Sequence, residues 1–330
     1  MPEGHSVHRI ARQFRTSFMG EPVSVSSPQG RFAAGAKQLD GHELVQAKAV
    51  GKQMFLEFGH GLWLRVHLGL YGAWDFAGDI AVDDTLASAN GRIGQTNQRG
   101  TVVGAAATVV GAHEDSPWSI GAPRRTRLRM AESEKLEPEL ETWPPEPIGQ
   151  VRVRLLTETA CADLRGPTAC EVQTIEEVDR TIAKLGPDPL VDDPREGEER
   201  FTSVVRKKAT PIALLLMDQS VVSGIGNVYR AELLFRARLD PFRPGREVPE
   251  EVVRELWRDW THLLRIGFDT GQMLTMDDLD DEAYQRALAS RDDRHWVYHR
   301  TGEPCRVCGT PIAMAELGGR KLYWCPTDQA

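Results

Sequence analysis

The chain has 330 residues, 41% of them hydrophobic and 27% charged, with a formal net charge of -8. This is the composition of a soluble protein of about two domains. No run approaches the roughly 20 apolar residues of a membrane helix, and the N-terminus lacks the apolar stretch of a secretory signal, so a cytoplasmic protein with no membrane partner is expected.

The acidic total does not exclude a polyanionic partner, because a ligand feels the local patch. Much of the acid lies in "EDSPW", "ESEKLEPELE" and "DDPREGEE", which read as loops and linkers. Basic residues gather in Arg206-Lys207-Lys208 and in "FRARLDPFRPGR" (235–246). The five cysteines are an odd number, and three sit in one C-terminal pattern. That points to a metal site in a reducing compartment, not to a disulfide framework.

Residue 2 is small, so loss of Met1 would leave Pro2 as a free secondary amine. Val7, Ile10 and Phe14 have the spacing of an amphipathic helix over 6–18. His5 and His8 read as helix-surface residues, with titration near a functional site as the alternative. The period then changes. In "LWLRVHLGLY", Leu62, Leu64, Val66, Leu68 and Leu70 alternate with more polar neighbours, as in a strand with one buried face. "KQMFLEF" precedes it across Gly59-His60-Gly61, a hairpin, and "QVRVRLL" (150–156) alternates again. Residues 77–147 interrupt the pattern and read as a partly disordered insertion. Within it, "PRRTRLR" (123–129) is either a phosphate contact or a solvated charge run. Cys161 and Cys170 read as β-core cysteines.

From Thr174 the chain turns helical. Thr174-Ile175-Glu176-Glu177 has the spacing of a capping box, and helices are predicted over 211–219, 227–239 and 249–268. Ser223-Gly224-Ile225-Gly226 separates two of them, with Asn227 at the N-cap position. The free N–H groups there suit a phosphate; a plain helix corner is the alternative. At the C-terminus, Cys305-x2-Cys308 is followed by Cys325-x2-Asp328, the spacing of a two-knuckle zinc ribbon with aspartate as fourth ligand. A metal-free hairpin of the same shape is the alternative. Arg320 falls at the tip between the knuckles.

Three motifs occur in order: "MPEGH", "SGIGNVYRAELLF" and "EPCRVCGTPI…GGRKLYWCP". Together they resemble the formamidopyrimidine-DNA glycosylase and endonuclease VIII family of base-excision repair enzymes. "PEG" and "LYG" (70–72) are more similar to the endonuclease VIII branch, and "HLGLYG", "DLRGPT" and "WCP-x-D-Q" are most similar to its actinobacterial members. The resemblance covers nearly the whole chain apart from 77–147. It implies an α+β architecture: an N-terminal helix plus β-sandwich (1–173), a helix-two-turns-helix domain (174–295) and a C-terminal zinc-ribbon finger (296–330). DNA would lie in a cleft between domains.

The resemblance also implies a bifunctional DNA glycosylase and abasic-site lyase. Pro2 would be the nucleophile that forms a Schiff base, and Glu3 the general acid-base. Lys52 would hold a phosphate or assist protonation. Asn227 would bind the same phosphate, and Arg320 would be the finger arginine that supports β,δ-elimination. Leu70 and Tyr71 would fill the gap left by an everted base, although Leu70 also continues the buried alternation. Arg165 is a second wedge candidate, and Lys207 a further DNA contact. Cys305, Cys308, Cys325 and Asp328 would hold one structural zinc ion. The partner would be damaged double-stranded DNA in a bacterial nucleoid, bound by a monomer, with oxidised pyrimidines as the substrate class. A non-catalytic damage binder of the same fold is the rival reading. Ser6 departs from the family, where many relatives carry a second glutamate.

Overall fold

A computed structural model describes residues 2–80, 119–121, 143–276, 279–289 and 293–330. Most of the insertion lies outside the described residues, including "EDSPW", "PRRTRLR" and the acidic run at 132–141. The disorder expected there is therefore not addressed.

The chain forms two compact units. The first holds residues 6–49 and 53–179, together with Pro2. The second holds 180–330 and takes two short segments from the N-terminal half, Glu3–His5 and Val50–Lys52.

In the first unit, α1 (Gly4–Ser17) continues from the second unit's Glu3–His5 segment. It is followed by β1 (Pro22–Ser26), α2 (Ala33–Leu39), β2 (His42–Val50), β3 (Gln53–Phe58), β4 (Trp63–His67), β5 (Ala73–Gly78), β6 (Ser119–Gly121), β7 (Val151–Leu156), β8 (Ala160–Arg165) and β9 (Ala169–Gln173). The strands are hydrogen-bonded in the order β6-β5-β8-β7-β1-β2-β3-β4-β9. The Gly59-His60-Gly61 hairpin joins β3 to β4 as the sequence suggests. β6, inside the insertion, adds an edge to β5.

The alternation at 62–71 holds only in part. Leu64, Val66 and Leu68 are buried, but so is Trp63 on the opposite face, with the Lys48 ammonium 4.4 Å from its ring centre. The strand ends at His67, and Leu68–Gly72 is a turn closed by the Gly72 N–H on the Leu68 carbonyl at 2.9 Å. Leu70 and Tyr71 are consequently exposed, 41% and 70%, and Leu70 is not a core residue.

The aromatic centre of this unit comes from α1. Phe14 is fully buried, with ring centres 5.0 Å from Phe18, 4.9 Å from Trp74 and 5.3 Å from Phe76. Cys161 and Cys170 belong to β8 and β9, and burial pushes both thiols up to about 12. At such values neither is a thiolate nucleophile.

The second unit contains the end of α3 (Ile175–Ile182), α4 (Pro194–Val205), α5 (Ile212–Leu215), α6 (Asn227–Arg236), α7 (Glu250–Thr270), α8 (Asp281–Ala289) and a hairpin of β10 (Ala313–Leu317) and β11 (Arg320–Trp324). At the start of α3 the Thr174 N–H meets the Glu177 carboxylate at 3.0 Å, one arm of the predicted capping box. "DDPREGEE" is not a linker. Asp193 Oδ1 accepts from Arg195 and Glu196 N–H at 2.9 and 3.1 Å, and Pro194 opens α4. An aspartate cap followed by proline is a strong helix start.

The helix expected over 211–219 shrinks to Ile212–Leu215, because Asp218 Oδ1 captures the Ser220 N–H at 2.9 Å and turns the chain. α6 stops at Arg236, ahead of Arg238 in the left-handed region (φ 49°) and Pro241. The helical core of this unit centres on Tyr229, Leu233, Trp257, Trp260 and Leu264. Among the described residues no helix is long and apolar enough to cross a membrane.

Phe14→Ala should cost about 3–5 kcal/mol, the usual range for emptying a buried aromatic site, as a lower urea midpoint with unchanged slope.

Candidate active site

Glu3 is fully buried at the start of α6. Its carboxylate accepts the N–H of Gly226 at 2.8 Å, of Val228 at 2.9 Å and of Tyr229 at 3.4 Å. Those amides have no partner within their own helix, and a carboxylate is favoured at the positive end of the helix dipole. The backbone fits closely: the Gly4 N–H donates to the Gly224 carbonyl at 2.9 Å. A Cβ at position 226 would collide with the Glu3 carboxyl carbon, so only glycine leaves room there.

This geometry corrects one expectation. The N-cap of α6 is Gly226, with extended backbone (φ -121°, ψ -156°), and Asn227 is the first helical residue. Glu3 supplies the capping oxygens that the sequence pattern assigns to Asn227. The same amides are therefore not open to a phosphate.

Asn227 turns its side chain toward the hairpin. Its Nδ2 donates to the Lys321 carbonyl at 2.7 Å. The fully buried Arg230 guanidinium donates to Asn227 Oδ1 and, at 3.0 Å, to the same carbonyl. Burial lowers Arg230 to about 10, with Glu3 opposing the shift and Arg320 adding to it.

Lys52 follows the tight turn at Gly51, whose N–H donates to Asp188 Oδ2 at 2.5 Å. Its ammonium donates to the Ile225 carbonyl at 2.6 Å, one residue before the α6 cap. Burial pulls its pKa down to about 8; the Glu3 carboxylate opposes the shift and Arg320 deepens it. Arg320 stands at the hairpin tip, paired with Leu317 across Gly318-Gly319. Glu3, Lys52, Asn227 and Arg320 are thus gathered in the second unit, in mutual electrostatic contact through Lys52 and Arg230.

Pro2 is buried and directly precedes Glu3. Lys207 is exposed on the turn after α4. In the first unit, Leu70 and Tyr71 form the exposed turn after β4, and Arg165 pairs with Ala73 at the adjoining end of β8. Arg165 forms an ion pair with Asp75, whose side chain is 1% exposed.

At the C-terminus the donor atoms of Cys305, Cys308, Cys325 and Asp328 all lie within 4.8 Å of one another. Cys305 Sγ is 3.0 Å from Asp328 Oδ2, and the Cys308 and Cys325 sulfurs are 3.4 Å apart. A tetrahedral zinc site with sulfur ligands has edges of about 3.8 Å, so this three-sulfur, one-oxygen set fits one structural zinc ion.

Over its whole length the chain is 39% identical to the endonuclease 8 1 of Mycobacterium tuberculosis and of Mycobacterium bovis, 331 aligned residues covering 100% of both chains. It belongs to the formamidopyrimidine-DNA glycosylase and endonuclease VIII family. The family's domain patterns match in order: Formamidopyrimidine-DNA glycosylase N-terminal domain at 1–170, Formamidopyrimidine-DNA glycosylase H2TH domain at 185–278, and Zinc finger found in FPG and IleRS at 302–330. The family fold is also that of the Fpg (MutM) protein of Thermus thermophilus, with a TM-score of 0.65 at 23% identity over 99% of this chain and 98% of that one. The Lactococcus lactis Fpg in complex with DNA containing an abasic site gives 0.65 at 18% identity over 99% of each chain.

Three contributors to the site had weak sequence signals. Arg230 is three residues after Asn227 on one helix face, which is a readable spacing. Asp188 in "LGPDPL" and Tyr229 carry no local mark of their role.

Lys52→Met tests the electrostatics. A lysine near 8 in the folded state and about 10.4 when unfolded binds fewer protons in the native state within that window, so it makes the protein gain stability as pH rises through it. At pH 7 the buried charge is a net cost, and the Ile225 carbonyl keeps a second donor, Gln219 Nε2, at 3.1 Å. The variant should therefore unfold at a higher urea midpoint than the parent at pH 7, with the advantage shrinking between about pH 8 and 10.4. A pH-independent difference would contradict the buried-charge account.

Proposed function

We propose that this family member excises oxidised bases, pyrimidines in particular, from double-stranded DNA and then cleaves the strand, with Pro2 as nucleophile once Met1 is removed. The observation that carries this reading is the carboxylate of Glu3, fixed by three amides at the start of α6 and immediately following Pro2 in the chain. A terminal amine has a reference pKa of roughly 7.7–8.0, so a useful fraction is unprotonated at neutral pH.

In this reading the Pro2 nitrogen forms a bond to C1′ as the glycosidic electrons leave with the base, and the amine gives up its N–H proton to the departing base. Glu3 gives a proton to the ring oxygen as its bond to C1′ breaks, which opens the sugar and leaves an iminium. The iminium withdraws electrons from C2′. Loss of a C2′ proton expels the 3′ phosphate, and loss of a C4′ proton expels the 5′ phosphate. Water then releases the sugar fragment and regenerates the amine.

Lys52, held near 8, exchanges protons in the working pH range and faces both Glu3 and Arg320. Asn227 and Arg320 would grip the flanking phosphate, with Lys207 as an outer contact. The exposed Leu70–Tyr71 turn, with Arg165 beside it, would fill the gap left by an everted base, offsetting part of the few kcal/mol that unstacking costs. The pyrimidine class rests on likeness to the endonuclease VIII branch.

Incubation with an abasic-site duplex and borohydride tests the reading, because borohydride reduces an iminium to a stable link. Mass spectrometry should find the cross-link on a peptide that begins at Pro2. Protein free of Met1 that binds the duplex but gives no adduct would contradict lyase chemistry and favour a damage-binding role.

A further inference from the structure

The helix-surface placement of His5 and His8 is overturned: His5 is 2% exposed and His8 8%. His5 packs edge-on against Tyr229, with ring centres 5.7 Å apart at 83°. Its Nδ1 lies 3.5 Å from the Tyr229 hydroxyl, and that hydroxyl donates to the Leu263 carbonyl at 3.4 Å. With the hydroxyl proton directed to Leu263, the Nδ1–H tautomer of His5 is the one that donates to the hydroxyl oxygen.

Tyr229 is also one of the three residues whose N–H groups hold Glu3. The segment Glu3–His5 therefore clasps Tyr229 at both ends, by carboxylate at the backbone and by imidazole at the phenol. A second observation shows that room has been left for this clasp. Gly267 sits within α7, where glycine costs about 1 kcal/mol relative to alanine. A Cβ there would collide with the Tyr229 hydroxyl and lie 3.0 Å from His5 Cβ.

We infer that His5 is a positioning residue for Glu3, acting through Tyr229. By fixing the phenol against α7, it fixes the first turn of α6, and with it the amides that aim the Glu3 carboxylate. The inference rests on Glu3 being the acid-base of the proposed reaction.

His5→Phe keeps the ring and removes Nδ1; Tyr229→Phe keeps the ring and removes the hydroxyl. In single-turnover excision each should lower the saturating rate about threefold to tenfold, the range of one neutral hydrogen bond, with the affinity for a non-cleavable abasic-analogue duplex unchanged. The double variant should lose no more than either single one, and His5→Gln, which retains a donor, should recover most of the rate. Parental rates in His5→Phe, additive losses in the double variant, or losses confined to duplex affinity would overturn the inference.

If the parent protein forms no borohydride adduct, it is the proposed function that fails. The positioning role is then read from amide hydrogen exchange at Gly226 and Val228 in His5→Phe: faster exchange supports it, and parental exchange overturns it.

Discussion

A carboxylate at residue 3 completes a helix whose N-cap lies 223 residues further along the chain. The start of α6 needs hydrogen-bond acceptors for its first amides, and the usual local solution, a Ser, Thr, Asp or Asn cap, is absent because position 226 is glycine. Glycine is there because any side chain would occupy the space of Glu3. The helix therefore forms its first turn correctly only when the N-terminal segment is in place, and residues 3–5 are packed with the second unit, not the first.

The same logic extends to the second borrowed segment. Gly51 is tied to Asp188, and Lys52 to the Ile225 carbonyl. A buried ammonium is costly, and it persists here against a pKa drawn down to about 8. Arg230 is a second buried cation, used to orient Asn227 and the Lys321 carbonyl beside Arg320. Two buried cations, both drawn below their usual range, resemble the perturbed groups found at reaction centres more than a device for stability.

Much of this architecture was legible. The change from helical to alternating period, the Gly59–Gly61 hairpin, the long helix at 249–268 and the cysteine spacing each rest on local physics, and each is present in the structure, the helix as Glu250–Thr270. What was not legible depends on partners distant in sequence. Asn227 looks like a cap until Glu3 arrives to do the capping. "DDPREGEE" looks like a linker when its charge is weighed ahead of its Asp-Pro start signal. His5 looks like a surface residue on a helical wheel, because the wheel does not know that Tyr229 and Gly267 form a slot for it. Leu70 continues an alternation that the turn at Leu68–Gly72 has already ended.

Amide hydrogen exchange of Glu3→Ala against the parent shows whether Glu3 organises the start of α6. Loss of a helix cap costs about 1 kcal/mol, so exchange at Val228 and Tyr229 should quicken about fivefold, while amides late in α7 keep their parental rates. Unchanged exchange at Val228 would contradict the claim and make the carboxylate a passenger at a helix end that holds itself together.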